Sequence, residues 1–210
     1  VSDKQLSWKY GEDLVVEPEL IQAARRHSLE LGVDAVTPAM GAHLAVIAAA
    51  TGASSIIEVG TGVGVSGLWL LHGAPEAVLT TIESEADHLQ VARRSFADAE
   101  IPANRTRLIG GRAADVLPRM NEASYDIAFI DADPGSVIEY VEHGLRMVRR
   151  GGSVIVAHAL WRDRVPDPAQ RDETTRRFRL LVTEIAASDA VVSSLSPVGD
   201  GLLTLTRVSD

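Results

Sequence analysis

Two apolar runs in this chain end in residues that can hold cations or move protons. "YDIAFIDADPGSVIEY" (125–140) stops at Asp131 and Asp133 with Pro134 directly behind them, and "VIVAHALW" (154–161) stops at His158. Carboxylates beside an imidazole can ligate a divalent ion, bind a ligand's ammonium group or relay a proton. A third run, "SSIIEVG" (54–60), opens into the loop "EVGTGVGVSG" (58–67). Glycines at 60, 62 and 64 allow a tight turn and bring bare backbone close to a ligand. A fourth, "AVLTTIES" (77–84), ends at Glu83, whose carboxylate can accept hydrogen bonds from ribose hydroxyls.

These residues need strands to carry them. The four runs, with "RTRLIGG" (105–111) and "GGSVIVAH" (151–158), are short, β-branched and almost continuously apolar, as strands buried on both faces of a parallel sheet must be. Helix-spaced segments alternate with them. In "HLQVARRSFADA", Leu89, Ala92 and Phe96 share one face. Strand–helix alternation predicts a right-handed α/β sheet with ligands bound beyond the carboxyl ends of its strands. Two helical segments (18–32 and 38–52) precede the first strand, and a last helix spans about 170–187. The pattern then changes to two alternating runs flanking "PVGDG", a terminal hairpin. The organisation expected is one domain over 1–210, with 1–52 as a helical cover and 53–210 as the α/β core. The segment "RDRVPDPAQRDE" (162–173) reads as a surface loop near the strand ends.

Composition narrows the function classes. With 210 residues, 46% of them hydrophobic, the chain can bury a sizeable core. Net charge is −9 with no basic stripe, which argues against nucleic-acid partners. No apolar run is long enough for a membrane span, and no signal-peptide pattern opens the sequence. Cysteine is absent, which removes thiol chemistry and suits a cytoplasmic location.

The glycine loop admits more than one nucleotide. Gly62, Gly64 and Gly67 satisfy G-x-G-x-x-G, which keeps a nicotinamide-dependent oxidoreductase open. Counted from Gly60, however, the third position is Val65, and Glu58 stands just ahead of the loop. A carboxylate there repels a pyrophosphate but suits a ligand carrying an ammonium and a sulfonium, such as S-adenosyl-L-methionine.

"EVGTGVGVSGLWL", the acidic end of the second strand, "GRAADVLP", "FIDAD" and the closing hairpin resemble a class I S-adenosylmethionine-dependent O-methyltransferase, more narrowly the catechol and caffeoyl-CoA O-methyltransferase family. The resemblance runs from about Val36 to the C-terminus. It implies a Rossmann-like fold with a seven-stranded, mostly parallel sheet and a C-terminal antiparallel hairpin, and methyl transfer to a small-molecule hydroxyl. The cofactor residues it implies are Val36, Gly60, Thr61, Gly62 and Ser66 around the methionine end, Glu83 at the ribose, Ala113 by the adenine and Asp131 near the amino group. It also implies a homodimer.

Metal-dependent members of that family read D-x-D-K after the fourth strand and D-N after the fifth, and hold Mg²⁺ through oxygen ligands. Here Pro134 takes the lysine position, and Ala157 and His158 take the Asp-Asn pair. The expectation is therefore an enzyme without the usual metal, although Asp131 and His158 could still suit a softer ion. Asp133 reads as a helix N-cap with Pro134 in the first helical position. His158 is either a hydrogen-bonded loop residue or the general base. Trp161 could line the acceptor pocket beside Asp131, or simply pack. The other histidines, among them His88, read as structural or exposed. Loss of the lysine and metal pair also leaves a non-catalytic cofactor-binding protein open.

Overall fold

A computed structural model describes residues 3–209. Three helices come first: α1 (Asp3–Asp13), α2 (Glu19–Leu31) and α3 (Pro38–Ala50). The α/β part follows as β1 (Ser55–Val59), α4 (Val65–Gly73), β2 (Val78–Glu83), α5 (Ala86–Asp98), β3 (Thr106–Gly110), α6 (Ala113–Val116), β4 (Tyr125–Ile130), α7 (Val137–Met147) and β5 (Val148–Val156). Helix α8 (Glu173–Ala186) leads into the hairpin β6 (Val191–Ser196) and β7 (Leu202–Arg207). The sheet has seven strands in the order β3-β2-β1-β4-β5-β7-β6. Strands β1 to β5 pair in parallel; β7 runs antiparallel to both β5 and β6. This is the doubly wound sheet and closing hairpin expected from the sequence.

Strand alternation divides the core into two layers. Ile56, Ile127, Phe129 and Ile155 face one side, where α2, α3, α4 and α5 pack against them. Their neighbours Ile57, Ala128, Ile130, Val154 and Val156 face the other side, under α7 and α8. Each such isoleucine or phenylalanine contributes about 1.5–3 kcal/mol by leaving water, so both faces of the central strands favour the same register. No helix among the described residues is long and apolar enough to cross a membrane.

Three local outcomes differ from the expected pattern. The polar opening stretch forms α1, which docks through Glu12. That carboxylate accepts from Thr37 Oγ1 at 3.1 Å and from the Gly199 amide at 3.3 Å, tying α1 to the start of α3 and to the β6–β7 turn. After β3 the helix stops at four residues and continues as a 3₁₀ turn, Leu117–Arg119, because Pro118 removes a backbone donor. Strand β5 starts at Val148, ahead of the glycine pair, and the register shift between Tyr125 and Ile127 absorbs Arg149–Gly152 as a bulge.

The lower edge of the sheet is pinned by Asp126, which is 7% exposed. Its carboxylate accepts from the Ser54 and Ser55 amides at 2.7 and 2.9 Å, from Ser54 Oγ at 2.8 Å and from Arg149 Nε at 2.6 Å. Burial alone would raise its pKa, but these four donors outweigh that and hold it at about 2. A carboxylate depressed in the folded state stabilises above its unfolded pKa, near 4, and that stability is lost as pH falls toward 2. Asp126→Asn should therefore cost about 2 kcal/mol at neutral pH. Urea unfolding should show the gap between variant and wild type narrowing below about pH 4 and closing near pH 2. A gap that stays constant with pH would contradict this assignment.

Candidate active site

The chain winds outward from β1 to β3 and returns to β4 on the other side of β1, so a crevice opens above the carboxyl ends of β1 and β4. The two strand ends touch there. Gly60 has φ +94°, and a Cβ on it would lie 1.8 Å from the Asp131 carbonyl oxygen, so glycine is required. The Asp131 amide donates to the Val59 carbonyl at 2.8 Å, which fixes the pair.

Above this contact lies a cavity of about 390 Å³. Of the residues expected to hold a cofactor, Val36, Gly60, Thr61, Gly62, Ser66, Glu83, Ala113 and Asp131 all line it. Glu83 closes β2 and accepts from the Gly62 amide at 2.8 Å and from the Glu85 amide at 3.0 Å. These bonds fix the carboxylate while leaving acceptor capacity for ligand hydroxyls. Helix α4 begins at the loop, and its cap, Gly64, has no side chain to offer. The first-turn N–H groups therefore lack a side-chain acceptor, and that helix end favours a negative group such as a carboxylate. Val33 to Val36, between α2 and α3, form the facing wall.

Glu58 corrects an expectation. It is fully buried below the loop and does not line the cavity, so it cannot meet a ligand's positive charge directly. Ser66 Oγ donates to its Oε1 at 2.6 Å and Thr81 Oγ1 to its Oε2 at 2.5 Å. Because Thr81 spends its proton on Glu58, the 2.5 Å contact between the Thr61 and Thr81 hydroxyls has Thr61 as donor. Burial raises the Glu58 pKa, the two hydroxyls lower it, and the nearby Asp131 and Glu83 charges raise it again, to about 7. Glu58 thus braces Ser66 and Thr61 from beneath.

His158, read as either a hydrogen-bonded loop residue or the general base, is placed among hydrogen-bonding partners as in the first reading. Its Nε2 lies 3.3 Å from Asp131 Oδ1 and its Nδ1 lies 2.5 Å from Asp200 Oδ1. Burial lowers its pKa, but hydrogen bonds and charge from the two aspartates raise it to about 10. The protonated imidazole is favoured by the two carboxylates facing its nitrogens, and in that form it has no lone pair left to take a substrate's proton. It equally lacks a lone pair for a metal. With Pro134 and Ala157 offering no ligands, the residues present do not fit the oxygen-rich Mg²⁺ site of metal-dependent relatives. Among the described residues no group of three His, Asp or Glu side chains is arranged to hold a metal ion.

Trp161 lies outside the main cavity, in keeping with the packing alternative. It shares a small adjoining cleft with Asp131 and His158, and stacks on Phe178 of α8 at 5.4 Å and 17°. Asp133 caps as expected: it accepts from the Gly135 amide at 3.1 Å, with Pro134 opening a 3₁₀ turn into α7. Three residues join the site without having been singled out for it. His88, in the first turn of α5, lines the cavity with Nδ1 3.9 Å from Glu83 Oε1; Tyr140 lines it from α7; Asp200 meets His158 from the β6–β7 turn. The position of His88, one helical turn past a strand-end acid, was a usable signal; Asp200 had none beyond its turn.

The Glu58 pocket makes a pH-dependent prediction. For a carboxylate raised in the folded state, the unfolded chain releases its proton first, so stability falls as pH rises from about 4.5 to about 7 and then levels. Glu58→Gln should remove that slope from denaturant midpoints measured across this range. An identical slope in both proteins would contradict the assignment.

A family model described as O-methyltransferase matches residues 11–208. A Mycobacterium ulcerans protein carrying an O-methyltransferase name is 44% identical over 207 residues, covering 98% of this chain and 92% of that protein. A Mycobacterium avium relative with the same kind of name is 45% identical over 199 residues, covering 94% and 90%. Among solved structures, a Corynebacterium glutamicum protein superposes with TM-score 0.90 at 26% identity, covering 100% and 99% of the two chains. The O-methyltransferase TomG of Streptomyces achromogenes, involved in tomaymycin synthesis and solved in complex with S-adenosylmethionine, gives 0.86 at 27%, covering 98% and 96%. A fold, a crevice and a sequence match that agree over nearly the whole chain lead to one conclusion: it belongs to the O-methyltransferase family.

Proposed function

We propose that this O-methyltransferase takes its methyl group from S-adenosyl-L-methionine and delivers it to a hydroxyl of a small molecule, without a divalent metal. The observation that carries the reading is the cavity over the β1–β4 crevice, with Glu83 fixed at one end and the uncapped start of α4 at the other. In this arrangement Glu83 accepts the ribose hydroxyls, and the backbone of Gly60 to Gly62 lies along the methionine portion. The first-turn amides of α4 receive the carboxylate, the Ser66 hydroxyl being engaged by Glu58, and Asp131 receives the ammonium. Ala113 lies by the adenine, and Val36 closes the wall.

Methyl transfer requires the acceptor oxygen in line with the methyl carbon and the departing sulfur. With Lys replaced by Pro134 and His158 already protonated, orientation by the cavity walls carries much of the acceleration. Asp131 is the carboxylate left at the acceptor end, since Asp133 is engaged as a cap. The acceptor is a small molecule, and the protein is cytoplasmic and works as a homodimer, the last by the family resemblance alone.

Calorimetric titration tests the cofactor assignment. S-adenosylmethionine and S-adenosylhomocysteine should bind, NADH should not, and affinity should be the same with Mg²⁺, Mn²⁺ or a chelator. Glu83→Ala should weaken binding by about 1.5–3 kcal/mol, the worth of hydrogen bonds to a charged group. Binding of NADH in preference to either adenosyl ligand would overturn the proposal. Cofactor binding without methyl transfer to any of a broad hydroxyl-acceptor panel would favour a non-catalytic binding protein.

A further inference from the structure

The segment after β5 places an imidazole between two carboxylates, an arrangement that the fold alone does not require. His158 sits in a left-handed conformation, φ +57°, with one ring nitrogen on Asp131 and the other on Asp200. Asp200 does more than pair with it. Its Oδ2 accepts from the Arg162 amide at 3.1 Å, and its carbonyl accepts from the Leu160 amide at 2.8 Å. The next residue adds another tie, with the Ala159 amide donating to the Gly201 carbonyl at 2.9 Å. The β6–β7 turn is thus fastened along the segment after β5, and Glu12 of α1 holds the same turn through Gly199. These contacts hold Asp200 from several directions, and Asp200 fixes the ring.

We propose that His158, held between Asp131 and Asp200, is a built-in substitute for the divalent ion of metal-dependent relatives, and that Asp200 is the positioning residue that keeps it there. A metal ion would place positive charge beside Asp131 and orient that carboxylate toward the cavity. A protonated ring facing both carboxylates supplies both from within the chain. With a carboxylate facing each ring nitrogen, the protonated imidazole also leaves no lone pair for an ion. The inference rests on the metal-free reading above. The raised His158 pKa agrees with the geometry.

Histidine-specific ¹⁵N NMR on the full chain tests it. At about pH 8, histidines of ordinary pKa are neutral. His158, identified by the signal lost in His158→Gln, should keep both ring nitrogens protonated, with a downfield, slowly exchanging ring proton. Stoichiometric Mn²⁺ should leave that signal unbroadened. In Asp200→Asn the downfield proton should disappear and the ring should become neutral at the same pH, whereas Asp200→Glu should restore part of the signal. A neutral His158 in the wild type, its selective broadening by Mn²⁺, or an unchanged ring in Asp200→Asn would each overturn the proposal. If Asp200→Asn does not fold, the wild-type spectrum and the Mn²⁺ titration still decide. S-adenosylhomocysteine calorimetry on the same wild-type sample keeps the parent reading separate: failure to bind would sink that reading, while the histidine spectra would still judge the bracket.

Discussion

The backbones of Gly60 and Asp131 meet with no room for a side chain between them. That contact is where the fold becomes a site. It sets the distance between the glycine loop and the acid that ends β4, and so the depth of the crevice above. A Cβ would force the two strand ends apart, moving Asp131 away from both the loop and His158. Proximity catalysis tolerates little of this, since a displacement of about 1 Å can cost about 10²-fold in rate.

The cavity is stiffened from below by groups that never touch its contents. Glu58 takes hydroxyl bonds from Ser66 of α4 and Thr81 of β2, and Thr61 of the loop joins through Thr81, so three elements are tied to one buried acid. At the far side, Asp200 and Glu12 fasten the closing hairpin to the strand ends and to α1. The hairpin, which in sequence is merely the last element, thereby holds the segment after β5 in place. A sheet that ended in another parallel strand would need a long crossover there and could not present a tight turn at the same edge.

Much of this was legible in the sequence because it follows from local pattern. Continuous apolar runs gave parallel strands, "PVGDG" gave the hairpin, and the strand-end positions of Gly60, Glu83 and Asp131 placed them on the cavity. Asp133 with Pro134 announced its own cap. What escaped depended on facing direction or on distant pairing. Strand alternation puts Glu58 on the same face as Ile56, which α4 covers, so nearness to the loop did not make it a lining residue. His158 looked free to act as a base because its partner Asp200 lies 42 residues away, in a turn whose sequence signals only geometry. Trp161 looked available to a substrate until Phe178, on a different element, claimed its face.

What unites these observations is the proposal of an O-methyltransferase crevice whose charge at the acceptor end comes from the chain itself. The most direct measurement is transfer of a labelled methyl group from S-adenosylmethionine to a panel of hydroxylated small molecules, run with a chelator and again with added Mg²⁺ or Mn²⁺. The account predicts O-methylated product at a rate the chelator does not lower and the metals do not raise. Turnover that appears only when a divalent ion is supplied would contradict it.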